Sequence, residues 1–342
     1  VTCRKKAVAG RAVNGLADLG SSGDADRMKK LLLPLCAALT LHAGDGLDGE
    51  WSLDLPGGEA GWLRVTPTQI ELLWAVGSAR TVTGWKREGG VLSFERGLRR
   101  PPATKAQPHH FSVRAEGDRL SGLLQAGSEP AEAFAGRRQP PMPPRPDLAR
   151  VIFGSPVRLF NGRDLSGWRP ADPAKKNGWS ARDGLLCNDT PKTDFSAYGD
   201  HANLRTEAEF GDFRLRLEYR LPAPDGGNSG VYLRGMYEVQ VTHRDSSMQG
   251  ISGPGAVFGR AQPMHNAGRP AGEWDQLEVT LVDRHISVVL NGERVVDNAP
   301  VPGCTGGALQ GDVTRPGPIL LQGDHTSVQY RNLVLESVTG RR

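Results

Sequence analysis

Residues 226–241, GGNSGVYLRGMYEVQV, hold the densest set of chemically capable side chains in this chain. Read with the two-residue period of a strand, Tyr237, Val239 and Val241 share one face, and Glu238, Gln240 and Thr242 share the other. The apolar set has to meet a core, so Glu238 and Gln240 project from the opposite face, about 7 Å apart along the strand. In the strand before them Tyr232 and Arg234 point one way, Val231 and Leu233 the other. Pairing of the two strands would bring Arg234 near Glu238. A second polar cluster, Gln322, Asp324 and His325, follows the apolar run PILLQ. A carboxyl group, a guanidinium and an imidazole are parts for proton transfer and for meeting a developing anion. Taken singly, each has a plainer role. A strand Glu pairs with Arg, a His at a strand end hydrogen-bonds, and Asn228 before Ser-Gly serves a turn. The chain has no P-loop, no GxSxG and no HExxH. It has no EF-hand or zinc spacing either, so no metal ligand is assigned.

The elements that must carry these side chains are strands. After residue 44, short β-branched and aromatic runs are bounded by Gly, Asp, Asn and Pro, and no long helical periodicity is present. Between 50 and 138 seven runs (WSLDL, GWLRVT, IELLWAV, VLSFER, FSVRAE, RLSGLLQA and AFAGRR) predict a small antiparallel barrel or sandwich spanning 44–138. Residues 139–150 are proline-rich and read as a semi-rigid linker. Residues 151–342 read as a larger antiparallel sandwich. There Phe213, Leu215, Leu217 and Tyr219 alternate with Arg214, Arg216, Glu218 and Arg220, and Asn291-Gly292 marks a hairpin. The fold class is all-β.

The net charge of +4 resides entirely in residues 1–30, which hold seven basic and three acidic side chains. The remaining body is neutral, which excludes a nucleic-acid footprint. Met28-Lys29-Lys30 followed by LLLPLCAALTLHA, residues 31–43, reads as a secretory signal peptide. Residues 1–43 are therefore set apart as upstream extension plus leader. The mature chain is expected in the periplasm or outside the cell, with no transmembrane segment. Cys187 and Cys304 remain after the leader, and a disulfide and two buried thiols are equally compatible with that compartment.

Residues 157–335 resemble the 3-keto-disaccharide hydrolase family. The resemblance is carried in order by LFNGRDLSGW (159–168), DGLL (183–186), DFRLRLEYR (212–220), GGNSGVYLRGMYEVQV (226–241), GPGAVFGR (253–260), GEWDQLEV (272–279), VVLNGERVVDN (288–298) and ILLQGDHTSVQYRNLVL (319–335). It implies a concanavalin A-like jelly roll with a glycan-sized groove, acting on sugars oxidised at C3. The pattern departs from the family at two places. Thr242-His243 stand where members carry an Asp soon after EVQV, with Asp245 the next acid. The LQ-x-HG ending reads Gln322-Gly323-Asp324-His325-Thr326. The Glu-x-Asp-x-x-Glu strand of retaining glucanases, which needs two carboxylates about 5–5.5 Å apart, is absent.

A ketone at C3 acidifies the C2 proton, so a base, an enolate stabiliser and an acid for the C1 leaving oxygen suffice for elimination, with water adding afterwards. This requirement assigns Glu238 and His325 as acid and base between them, in an order the residues leave open. It gives Arg234 to the oxyanion, and Asn228, Tyr232, Gln240 and Gln322 to the sugar. A divalent ion is left open as cofactor. The alternative is a non-catalytic carbohydrate-binding module. The N-terminal β domain shows no cluster assignable to chemistry and reads as an aid to docking or cell-surface association.

Overall fold

The computed structural model of the protein describes residues 45–99, 105–191, 199–224 and 226–342. The leader assigned to 28–43 lies outside the described residues. Nine strands come first: β1 (Gly49–Asp54), β2 (Ala60–Val65), β3 (Ile70–Trp74), β4 (Arg80–Val82), β5 (Lys86–Glu88), β6 (Val91–Leu98), β7 (Gln107–Glu116), β8 (Arg119–Ala126) and β9 (Glu132–Arg138). They form one antiparallel sheet in the order β4-β3-β2-β1-β9-β8-β7-β6-β5. The seven runs read from the sequence are all strands. β4 and β5 escaped notice because three residues are too few to show alternation, and Lys86–Glu88 is wholly charged. The sheet bends around its own core, since Trp51, Leu63, Leu72, Trp74, Phe94, Phe111 and Phe134 from six of its strands pack together. Trp74 meets Phe111 and Phe134 edge to face.

The second body is a two-layered sandwich. Its strands are β10 (Val151–Phe153), β11 (Val157–Arg158), β12 (Trp168–Pro170), β13 (Trp179–Arg182), β14 (Leu185–Asn188), β15 (Leu204–Thr206), β16 (Phe213–Arg220), β17 (Asn228–Leu233), β18 (Tyr237–Thr242), β19 (Asp275–Val282), β20 (His285–Leu290), β21 (Glu293–Pro300), β22 (Leu320–Leu321) and β23 (Val328–Arg341). The larger layer runs β13-β14-β23-β16-β19-β20-β21, and the smaller runs β12-β15-β22-β17-β18. The alternation in β16 holds. Phe213, Leu215, Leu217 and Tyr219 enter the core, while Arg214 and Arg216 pair with Glu336 and Glu218 pairs with Arg331 on the outer face. Val231, Leu233, Tyr237, Val239 and Val241 close the core from the smaller layer. The β20–β21 turn places Asn291 at φ 53° and Gly292 at φ 84°, both in the left-handed region a two-residue hairpin demands. Cys187 and Cys304 are both buried and free. No helix among the described residues is long and apolar enough to cross a membrane.

The nine-stranded sheet uses both faces near β2. Leu63 and Val65 turn inward, whereas Ala60 and Trp62, with Leu73 opposite Trp62, join the core of the sandwich. Arg284 stitches the bodies further. Its guanidinium donates to Gln139 Oε1 at 3.0 Å, the Pro140 carbonyl at 2.9 Å and the Pro302 carbonyl at 2.7 Å, and it lies 3.7 Å from Glu50. The proline-rich segment is thus tied down at its start, and Asn298 Nδ2 holds its other end through the Pro146 carbonyl. Arg284→Ala is expected to lower unfolding stability by about 3 kcal/mol, because three buried acceptors lose their donor and Glu50 loses one of its cations. Denaturant titration of the two proteins measures it.

Candidate functional site

The β17–β18 ladder sets Tyr232 opposite Glu238, Gly230 opposite Gln240 and Asn228 opposite Thr242. These side chains share the face that turns away from the sandwich core, as the two-residue period requires. β22 lies along β17, with Leu320 opposite Tyr232. The Gln322 N–H then donates to the Gly230 carbonyl, which places Gln322 beside the same row. Gly230 makes room for the acid: a Cβ there would stand 2.8 Å from Glu238 Cγ and 2.9 Å from its Cδ. That glycine, within NSGVYL, was a readable signal that a large side chain sits across the ladder.

Glu238 is 3% exposed. Burial pushes its carboxyl up to about 8, and the nearby Asp324 carboxylate pushes the same way, while a hydrogen bond with the Tyr232 side chain opposes both. The group therefore holds its proton at neutral pH. The Tyr232 hydroxyl donates to the Gly306 carbonyl at 2.9 Å and lies 3.4 Å from Gln322 Nε2. Burial raises the Tyr232 phenol well above its ordinary range, so it acts as a neutral donor. His325 Nδ1 lies 2.6 Å from Asp324 Oδ1, and the two side chains are 15% and 16% exposed. Asp324 thus faces both the imidazole and the buried acid. Its role was missed from sequence because it depends on how the loop after β22 returns across the sheet. Gln240 Oε1 and Gln322 Oε1 are buried without a hydrogen-bond partner. Gln240 Nε2 meets only Met248 Sδ, at 3.6 Å.

Arg234 does not join this group. It lies in the turn after β17 at φ 56°, and its guanidinium donates to the carbonyls of Val313 (2.8 Å) and Arg315. Period-two reading fails there because the strand has already ended at Leu233. Arg234 is corrected to a structural residue that fastens the 313–315 loop, and it does not supply the cation expected beside Glu238. Asn228 is half-buried at the start of β17, where its carbonyl accepts from Thr326 Oγ1 at 3.0 Å. Asp245, the acid after EVQV, is 65% exposed and pairs with Arg244, away from Glu238. Among the described residues no group of three or more His, Cys, Asp or Glu has the arrangement to hold a metal ion. A cleft of about 330 Å³ lies between Asn188, Arg220, Pro222 and Gln329, and one of about 150 Å³ between Arg205, Glu209, Gln310 and Arg315. Neither is lined by Glu238 or His325.

None of the curated proteins compared matches the chain. Among solved structures it is similar to two candidate glycosyl hydrolases from Parabacteroides distasonis ATCC 8503. One is 25% identical with TM-score 0.42, over 57% of this chain and 93% of that one. The other is 19% identical with TM-score 0.43, over 54% and 94%. The carbohydrate-binding module CBM66 from Bacillus subtilis is 12% identical with TM-score 0.35, over 50% and 96%. The family described as the 3-keto-alpha-glucoside-1,2-lyase-like domain matches residues 155–336. That match spans the ladder bearing Glu238, the loop bearing His325 and more than half of the chain, and the protein belongs to this family.

Proposed function

We propose that the protein cleaves glycosides whose sugar carries a ketone at C3, by elimination across C1–C2 followed by hydration. The observation that carries this reading is a buried, protonated carboxyl sharing one sheet face with two amide oxygens that lack donors, beside an Asp–His pair. Sugar hydroxyls are the donors such orphaned acceptors suit. Asp324 holds the imidazole of His325 through Nδ1, and that imidazole takes the C2 proton. The electron pair moves into the C2–C3 bond and the carbonyl oxygen becomes an enolate oxygen. The enolate then expels the C1 oxygen, and Glu238 gives that leaving oxygen its proton. Water adding across the new double bond yields the free 3-keto sugar. With Arg234 engaged elsewhere and the Tyr232 hydroxyl proton on the Gly306 carbonyl, stabilisation of the enolate falls to a neutral donor, the Gln322 amide, in a site of low dielectric. Asn228 and Gln240 complete the sugar contacts. The leader reading makes this an exported enzyme, with the mature chain organised as domains at 44–138 and 151–342 joined by 139–150.

The test is incubation with a 3-keto glucoside and with the matching unoxidised glucoside. Release of the aglycone from the keto sugar alone is expected. Binding of both sugars without turnover would replace the enzyme reading by that of a carbohydrate-binding module, which needs the same polar side chains but no raised carboxyl.

A further inference from the structure

Between β3 and β4 the chain turns through Ala75, Val76 and Gly77. Ala75 adopts φ 55°, a conformation uncommon for a side chain with a Cβ, and its carbonyl accepts from the Gly307 N–H at 2.8 Å. The sandwich meets this turn with glycines. A Cβ on Gly306 would stand 2.5 Å from the Gly77 nitrogen, one on Gly259 would stand 2.6 Å from Ser78 Oγ, and one on Gly303 would stand 2.5 Å from Trp62 Nε1. Neither Gly303 nor Gly306 has a positive φ, so close approach to the first sheet, and not backbone conformation, accounts for the absent side chain. Arg260 is held over the Trp62 ring at 4.1 Å and donates to the Cys304 carbonyl, which fixes the same loop from its other side.

That loop reaches the acid. The Tyr232 hydroxyl has one proton and two acceptors, the Gly306 carbonyl and the Glu238 carboxyl. We propose that the first sheet is a positioning element of the acid–base site, its 75–79 turn fixing the 303–307 loop so that the Gly306 carbonyl takes the Tyr232 hydroxyl proton. That proton is then largely withheld from the Glu238 carboxylate, which favours the protonated carboxyl. The other titratable groups bearing on Glu238 are Asp324, with His325 beside it, from the loop after β22, and Tyr330 from β23. None of them belongs to the first sheet. This inference takes Glu238 as the site's acid and so rests on the proposed function, but its test needs no substrate.

The experiment follows the Glu238 carboxyl by ¹³C NMR in the full chain labelled at glutamate Cδ, the signal being assigned by its absence in Glu238→Gln. Gly306→Ala pushes the loop off the Gly77 backbone and frees the Tyr232 hydroxyl to donate to the carboxylate, so the midpoint should fall by about half a unit or more. Tyr232→Phe removes that donor and should raise it. In the Tyr232→Phe background Gly306→Ala should then shift nothing, a dependence that a merely structural glycine would not produce. Should Gly306→Ala not fold, Trp62→Phe loosens the same loop from the first sheet's side and is expected to lower the midpoint as well. An unchanged midpoint in a folded variant, or an equal shift with and without the Tyr232 hydroxyl, overturns the proposal. A wild-type protein that leaves 3-keto glucosides intact would instead overturn the proposed function and leave the titration result standing.

Discussion

Glu238→Gln is expected to lower turnover of a 3-keto glycoside by about 10²–10⁴-fold, the range that loss of one general acid produces. Gln matches the shape of the carboxyl, and Gly230, diagonally across the ladder, leaves its position undisturbed. Neighbouring hydrogen bonds from Tyr232 and Gln322 persist, so substrate affinity should change little and the loss should fall on kcat. The same substitution has a signature in stability. In the folded chain the carboxyl keeps its proton up to about pH 8, whereas in the unfolded chain it releases it near 4.5. Between those values the folded state binds more protons, so its stability falls as pH rises through the interval and the fall ends above it. Glu238→Gln removes this dependence. Near pH 9 the variant should exceed the wild type by on the order of a few kcal/mol, and near pH 4 the two should agree. Thermal unfolding over pH 4–9 reads the difference. Wild-type turnover in Glu238→Gln would remove the acid from the mechanism.

His325→Ala is expected to cost a similar factor, about 10²–10⁴-fold, because it removes the base that Asp324 holds. Asp324→Asn separates orientation from base strength. An amide can still meet Nδ1, but it offers either its N–H or its carbonyl, and it supplies no charge to balance an imidazolium. Turnover should therefore fall in Asp324→Asn too, and the paired substitution should cost little more than His325→Ala alone. The Asn variant also withdraws a negative charge from Glu238, so the alkaline limb of its residual pH–rate profile should move to lower pH. Independent, multiplicative losses would show that Asp324 and His325 do not act as one unit.

The strands that carry the site were readable because their own alternation fixes which face is wet. Tyr237, Val239 and Val241 had to enter a core, and that alone aimed Glu238 and Gln240 outward. Asn291-Gly292 announced its hairpin for a similarly local reason, two successive left-handed residues. Arg234 was misread because one residue beyond a strand end the same alternation no longer applies. Gly306 and Ala75 could not be read at all. Their roles arise where loops of different bodies touch, and no periodicity within a segment encodes that meeting. The close approach at Gly306 involves residues more than two hundred positions apart in the chain.

Trp62 and its neighbours on β2 and β3 carry a practical consequence for anyone dissecting the protein. A sandwich severed at the proline segment would present to water the apolar patch that Ala60, Trp62 and Leu73 now cover, together with the guanidiniums of Arg260 and Arg284. Such a fragment invites self-association. Grafting the sandwich onto another scaffold would require repainting that patch with polar side chains first.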